Sequence, residues 1–209
     1  MFVNNENPPN VESSEVRLLE RAANGDRDAR RELFERYREI AYRVARRITG
    51  RHADALDVVQ DAFIRAFEKL DRFQRDAKFK TWLLRIVSNR ALDVLRSRKV
   101  RLAMPLDHGS GDDDAPGFSL PDPDAAEPTA GIEQAELAVR LRQAIESLPL
   151  EQRTVFSMYA SGDLTYGEIA EALGIPIGTV MSRLYHARRR LHEQLSDLAP
   201  QTNKAADDE

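Results

Sequence analysis

An acidic segment rich in proline and glycine divides the chain into two parts. Between Pro105 and Glu136 there are nine Asp or Glu residues and no Lys or Arg. The whole chain of 209 residues has a net charge of −4, so the remainder carries a net charge of +5. A segment of this composition has few large apolar side chains and buries too little surface to offset the entropy of ordering. We therefore predict two mildly basic blocks joined by a flexible acidic linker at 103–131.

Apolar residues recur at helical spacing on both sides of the linker, and no segment shows strand-like alternation. The first block predicts four helices: about 16–23, a long helix between Asp26 and Gly50, one from there to about Leu70, and 81–98 after a loop. The second block predicts helices at 132–147, 151–160, 165–173 and 177–195. The expected fold class is all-α, with helical domains at 14–102 and 132–197. The ends, 1–13 and 198–209, are expected to be disordered.

The last two helices have the signature of a helix-turn-helix. Thr165 and Glu168 form a capping-box pattern at the start of a short helix. Gly174-Ile175-Pro176 then enforces a tight turn before a longer helix. A short helix, a turn of three residues containing Gly and a longer helix make up the motif that places a recognition helix in the DNA major groove.

The final helix separates into an apolar and a polar side. Its apolar stripe consists of Val180, Leu184, Ala187, Leu191 and Leu195. The opposite side carries Thr179, Ser182, Arg183, His186 and Arg190. Hydroxyls and amides at the start of such a helix suit phosphates, and Arg suits guanine edges. A solvated surface helix is the alternative interpretation of the same pattern.

A second candidate nucleic-acid surface lies in the first block. The loop from Phe73 to Lys80 alternates aromatic and cationic residues, as proteins that bind single strands do. The following helix continues with a polar ridge that includes Arg85, Asn89 and Arg96. Phe79 and Trp82 have an alternative role as core residues.

Several classes of chemistry find no support in the sequence. There is no cysteine, which excludes disulfides and thiolate metal sites. No Glu-x-x-His pair or Gly-rich phosphate loop occurs, and the four histidines are scattered, each expected on the solvated surface. We expect a protein that is not an enzyme and has no metal or cofactor. No apolar run approaches the roughly 20 residues of a membrane span and no secretory signal precedes the first block, so we expect a cytoplasmic protein that does not insert into membranes.

Two long runs resemble a known family. DALDVVQDAFIRAFEKLDRF (54–73) followed by FKTWLLRIVSNRALDVLR (79–96) resembles the second domain of the extracytoplasmic-function (ECF) sigma factors of the sigma-70 family. SLPLEQRTVFSMYASGDLTYGEIAEALGIPIGTVMSRLYHARRRL (147–191) resembles their fourth domain. The two runs occur in the family's order and spacing. The resemblance implies a subunit that binds core RNA polymerase and directs promoter-specific transcription initiation, as part of a stress or envelope response.

The resemblance also implies roles for particular residues. The polar face of the third helix would dock on the clamp coiled coil of polymerase: Asp57, Gln60, Asp61, Arg65 and Glu68. An ordinary solvated face is the alternative. The loop and the helix after it would capture a flipped base of the minus-ten element and contact the melted strand: Arg72, Phe73, Lys78, Phe79, Lys80, Trp82, Arg85, Asn89 and Arg96. The recognition helix would read the minus-thirty-five element through Thr179, Ser182, Arg183, Tyr185, His186, Arg188 and Arg190.

The expected partners are core polymerase, through its clamp coiled coil and flap, promoter DNA, and an inhibitory anti-sigma factor. Two positions depart from the family pattern, because Met181 and His186 stand where many members have basic residues. Both departures weaken phosphate or guanine contacts, so no relative's upstream sequence preference can be transferred. The rival hypothesis is a stand-alone helix-turn-helix regulator, which accounts for the second block only.

Overall fold

The computed structural model describes residues 11–73, 78–103, 132–162 and 164–196. The helices of the first block are α1 (Val11–Ala23), α2 (Arg27–Thr49), α3 (His52–Glu68) and α4 (Phe79–Ala103), with a single 3-10 turn at Leu70–Arg72. Those of the second block are α5 (Ile132–Ser147), α6 (Leu150–Tyr159), α7 (Tyr166–Leu173) and α8 (Ile177–Leu195). The described ranges contain no strand, which confirms the all-α class. The expected linker, beyond residue 103, and both expected tails, apart from 11–13, lie outside these ranges.

The helix ends follow from local chemistry. The Asp26 carboxylate accepts hydrogen bonds from the backbone N–H of Asp28 at 2.9 Å and of Ala29 at 3.1 Å, and so caps α2. Gly50 ends the helix with φ at 77°, a left-handed conformation that glycine adopts without strain. The predicted start and end of this long helix are confirmed.

The core of the first block lies between α2, α3 and α4. These three helices contribute side chains that are fully buried, among them Leu33, Ile48, Val58, Leu83 and Leu84. Full burial of side chains of this kind stabilises the fold by about 1.5–3 kcal/mol each.

Helix α4 differs from its predicted bounds at both ends. It begins at Phe79 rather than Thr81 and extends to Ala103 rather than Arg98. Phe79 is only 1% exposed, and burial of its ring against the core anchors the additional N-terminal residues. Within α4, Leu84 is fully buried and Ile86 is half-buried.

Helices of the two blocks contact each other. Helix α2 packs against α6 and α4 packs against α7, so that one continuous cluster of buried residues includes members of both blocks. Ion pairs also connect the blocks: Arg46 Nη1 lies 3.6 Å from Glu146 Oε1, and Lys78 Nζ lies 3.0 Å from Glu168 Oε1. A Cβ atom at Gly50 would come within 3.2 Å of the same Glu146 carboxylate, so the end of α2 approaches α5 closely.

Candidate nucleic-acid and polymerase interfaces

Four aromatic rings pack together where α4 begins. Phe73 and Trp82 have ring centroids 5.0 Å apart, and Phe79 lies 5.9 and 5.8 Å from them. Beneath them Tyr37 of α2 lies 5.3 Å from Phe79 and donates a hydrogen bond to Glu15. Phe73 and Trp82 are half-buried, whereas Phe79 is closed to solvent. The buried Phe79 ring thus supports Phe73 and Trp82, whose rings remain partly accessible to solvent.

Burial and a neighbouring charge both shift the pKa of Tyr37, which lies beneath the aromatic cluster. Burial, together with the hydrogen bond to the Glu15 carboxylate, raises the pKa of Tyr37 well above its usual range. The hydroxyl therefore stays protonated and keeps donating to Glu15 throughout the physiological range. This contact fixes α1 against the base of the aromatic cluster.

The polar ridge of α4 continues from the aromatic cluster. Arg85, Asn89 and Arg96 are exposed, as the helical spacing predicted. The Arg96 guanidinium donates to Asp93 Oδ1 at 2.9 Å, so one member of the ridge is paired within it. At the other end Arg72 is exposed and Lys80 is half-buried. Lys78 reaches across to α7, where it pairs with Glu168.

The candidate docking face on α3 is exposed at Asp57, Gln60, Arg65 and Glu68. Asp61 differs from these residues. Its Oδ2 accepts from Nε of Arg90 at 2.7 Å, and Nη2 of the same guanidinium lies 2.6 Å away. Asp61 therefore joins α3 to α4, and its charge is neutralised locally by a residue that sequence analysis did not single out.

Sequence analysis also missed an apolar residue on this face. Ile64 is 49% exposed and lies one helical turn after Gln60. An exposed isoleucine surrounded by polar residues is the composition of an interface anchor inside a polar rim. The predicted docking residues on α3 were all polar or charged, so the pattern did not include Ile64.

The helix-turn-helix is formed as the sequence predicted. The Thr165 hydroxyl accepts from the backbone N–H of Glu168 at 3.2 Å, and the Glu168 carboxylate accepts from the backbone N–H of Thr165 at 2.8 Å. Gly174, with φ at 64°, ends α7 and turns the chain toward α8. Pro176 precedes α8 and offers no side-chain cap. The Thr179 N–H donates to the Pro176 carbonyl at 2.9 Å, so the amides of Ile177 and Gly178 are the ones that an anion could meet.

Several groups shift the pKa of the Glu168 carboxyl group. Burial raises its pKa, but hydrogen bonds from the Thr165 backbone and from Lys78 outweigh burial, so that the pKa of Glu168 lies below its usual value. Glu168 thus stays ionised, caps α7 and holds Lys78 at the same time.

The buried stripe of α8 is confirmed at Val180, Leu184, Ala187 and Leu191. The exposed candidate readers are Ser182, Tyr185, His186, Arg188 and Arg190. Thr179 and Arg183 are half-buried.

Two of the arginines of α8 contact side chains of α6. The Arg183 guanidinium forms a short ion pair with Glu151 of α6. Arg188 lies over the Tyr159 ring, 4.6 Å from its centroid, a cation–π contact that positions the guanidinium. Each of these arginines has to leave or share its present partner in order to meet DNA.

The histidines are only partly as predicted. His186 and His192 are exposed, in agreement with expectation, and His108 lies outside the described ranges. The expectation for His52 was wrong: it is half-buried, and its Nδ1 is hydrogen-bonded to the Tyr42 hydroxyl at 2.6 Å. The fold brings Tyr42 of α2 against the first turn of α3, a contact that residue spacing alone does not reveal.

Across the ranges that the structure describes, no three His, Asp or Glu side chains gather in a way that could hold a metal ion. Within those ranges no helix has the length and hydropathy needed to cross a membrane.

Comparison with known proteins identifies both blocks. Residues 33–101 match the model of sigma-70 region 2, and residues 138–191 match that of sigma-70 region 4. The ECF RNA polymerase sigma factor SigW of Bacillus subtilis is 33% identical over 180 residues, covering 86% of this chain and 96% of SigW.

Two solved structures share the architecture. CnrH, solved in complex with the cytosolic domain of CnrY, is 28% identical with a TM-score of 0.60 over 88% of this chain and 97% of CnrH. The sigma factor RpoE of Bartonella quintana, solved with the anti-sigma factor NepR, has the same fold. Its TM-score is 0.61 over 79% of this chain and 96% of RpoE, at 22% identity.

A stand-alone regulator has no need of a region 2 block, and that hypothesis is set aside. With both sigma-70 regions present and nearly the whole length of a curated relative covered, the chain belongs to the ECF RNA polymerase sigma factors.

Proposed function

We propose that this sigma factor divides promoter recognition between its two blocks, with α4 and the aromatic cluster on the minus-ten strand and α8 on the minus-thirty-five element. The observation that carries the first half is the half-buried Phe73–Trp82 pair beside Arg85 and Asn89. Stacking on an aromatic side chain contributes about 1–3 kcal/mol per base, which offsets the cost of unstacking it from the duplex.

For the second half, α8 combines an amide terminus without a side-chain cap with exposed Ser182, His186 and Arg190. These groups suit phosphates and base edges in the major groove. The docking surface for polymerase is the α3 face of Asp57, Gln60 and Glu68 with Ile64 at its centre.

The two blocks act as separate domains, 14–102 and 132–197, when they meet a promoter. The minus-ten and minus-thirty-five elements are about 25 base pairs apart, which is roughly 85 Å along the duplex at about 3.4 Å per step. In the arrangement described above, Lys78 of the candidate minus-ten surface lies 3.0 Å from Glu168 of α7, in the helix-turn-helix. The arrangement therefore has to open before both elements are bound.

The length of the connecting segment permits such an opening. An extended chain spans at most about 3.3–3.6 Å per residue, so residues 104–131 reach roughly 90–100 Å. Core polymerase supplies the free energy for separating the two blocks, because it binds one domain at the polymerase clamp and the other at the polymerase flap. We further propose that the protein acts in the cytoplasm, in a stress or envelope response, and that an anti-sigma factor restrains it, as NepR is bound to RpoE.

The experiment that tests this function is start-site mapping after in vitro transcription of a fragmented genome by core polymerase, with and without the chain. We expect a discrete set of start sites that depends on the chain and is lost with Trp82→Ala. A Val16→Ala variant, altered at an exposed apolar residue of α1, is the matched control and should keep the full set. Transcripts that do not depend on the chain would contradict the proposal.

A further inference from the structure

Helix α8 presents a line of large apolar side chains to solvent. Ile177, Met181 and Tyr185 are 52%, 53% and 64% exposed. Their spacing of four residues places them along one side of the helix, next to but outside the buried stripe that contains Leu184. Single exposed apolar residues are ordinary, but three in one line within two and a half turns of a helix indicate a surface that another molecule covers.

The charges around this apolar line point to a polyanion. Between Ile177 and His192, α8 contains four Arg residues and no Asp or Glu. A groove of about 470 Å³ opens beside the line toward α7 and is lined by Tyr166, Met181 and Tyr185 with Arg188 and Arg189 at its edge. An apolar strip bordered by guanidinium groups complements a surface of apolar patches bordered by phosphates.

The opposite flank of α8 is occupied from within the protein. Arg183 on that flank is paired with Glu151 of α6. On the other side of the solvent-facing ridge at Ser182, Arg188 lies over Tyr159, yet Met181 and Tyr185 are exposed. Thr179 and Arg183, by contrast, are half-buried. The helix surface most accessible to a major groove is thus centred on Met181, Ser182 and Tyr185.

In the major groove the prominent apolar group on a base pair is the C5-methyl of thymine. We propose that Met181 and Tyr185 contact thymine methyl groups in the upstream promoter element and select thymine at those positions. The inference rests on the proposed function of α8. On this inference, Met181 in place of a basic residue does not simply remove a contact with DNA; it changes which base the helix prefers.

The test uses holoenzyme and a substitution that removes only the methyl group. Upstream elements are first selected from a randomised duplex library with the wild-type holoenzyme, and each thymine of the selected element is then replaced by uracil. Burial of one methyl corresponds to about a fourfold change in affinity, since about 0.8 kcal/mol is contributed per buried carbon and about 1.4 kcal/mol is a factor of ten. We expect a loss of about that size at one or two positions. Met181→Ala and Tyr185→Ala holoenzymes should each bind thymine and uracil templates with equal affinity at the base that the replaced side chain contacts.

Two controls accompany these variants. Arg190→Ala should weaken binding to thymine and uracil templates equally, because its candidate contacts do not involve the methyl. Val16→Ala should leave both affinities unchanged. Met181 and Tyr185 are exposed, so circular dichroism should show the fold of their Ala variants intact.

The outcomes separate the inference from the function on which it rests. If the library yields a selected element but no thymine-to-uracil change affects binding, the inference is overturned and the function stands. The inference is also overturned if Met181→Ala and Tyr185→Ala weaken binding while the thymine-to-uracil ratio stays as in wild type, because the apolar line would then contact the sugar-phosphate backbone or a protein. If holoenzyme selects no upstream element at all, the proposed function of α8 itself fails.

Discussion

Lys78 Nζ lies 3.0 Å from Glu168 Oε1, and this contact joins the candidate minus-ten surface to the capped helix of the helix-turn-helix. The lysine side chain is 71% exposed, so the ion pair itself contributes at most about 1 kcal/mol. The apolar packing of α2 on α6 and of α4 on α7 holds the blocks together more strongly. Under the proposed function, the ion pair matters because it engages Lys78, a cation that is expected to contact promoter DNA.

The first prediction concerns separation of the two blocks. The chain has no cysteine, so Ser97→Cys and Ser196→Cys, both at exposed positions, can carry a pair of fluorescent dyes. A compact chain of this length is roughly 45 Å across. We expect high transfer efficiency in the free protein and low efficiency in promoter-bound holoenzyme. An efficiency that stays unchanged on holoenzyme formation would show that the blocks do not separate.

The second prediction concerns the docking face on α3. Asp57→Lys should weaken association with core polymerase at least tenfold without affecting folding, because Asp57 is exposed. Ile64→Ala should have a similar effect by removing the central apolar contact. Asp61→Lys should in addition lower the free energy of unfolding by about 1 kcal/mol, because it places a second cation beside Arg90. Binding assays with fluorescent holoenzyme and urea unfolding distinguish these effects; equal binding by Asp57→Lys and wild type would place docking elsewhere.

The third prediction is a pH dependence due to Glu168. Its pKa is lowered in the folded chain, so the stability contributed by its charged form is complete above the unfolded value of about 4.3. That stability is lost as the pH falls through the folded pKa. We expect the Tm of wild type to fall more steeply than that of Glu168→Gln between about pH 5 and about pH 3, where the carboxylate becomes protonated. Gln is the matched replacement because it also serves in a capping box, and parallel curves would contradict this role of the carboxylate.

The fourth prediction concerns Arg183, which has to leave Glu151 in order to read a base. Arg183→Ala should reduce binding of holoenzyme to the upstream element by about 1–3 kcal/mol, and the loss should depend on the base that the arginine contacts. Glu151→Gln should increase affinity, because it removes the competing ion pair. If Glu151→Gln weakens binding, the glutamate positions the arginine for DNA rather than withholding it.

Local features of the fold were predictable from sequence, and contacts between distant residues were not. The cap at Asp26, the capping box of Thr165 and Glu168, and the turn at Gly174 each depend on a few neighbouring residues. The buried stripe of α8 follows from its period. By contrast, the pairs Asp61–Arg90 and Tyr42–His52 join different helices, and no spacing rule relates their members.

The candidate sites show the same contrast between local features, which the sequence predicts, and contacts between helices, which it does not. The exposure of Arg85, Asn89 and Arg96 follows from the helical period of α4. The burial of Phe79 does not, because it depends on Tyr37 of α2 lying beneath the ring. Met181, which the helical period of α8 leaves out of the apolar stripe, is exposed.

The most direct test of the central claim is permanganate reactivity of thymines in the minus-ten region of a linear duplex promoter. Holoenzyme containing wild-type chain should make these thymines reactive, and the free chain should not. Asn89→Ala holoenzyme should bind the upstream element normally and yet leave the thymines unreactive, with activity partly restored on a pre-melted template because the unpairing cost has been removed. Full reactivity with Asn89→Ala, or none with wild-type holoenzyme at promoters whose transcription depends on the chain, would contradict the assignment of strand opening to α4.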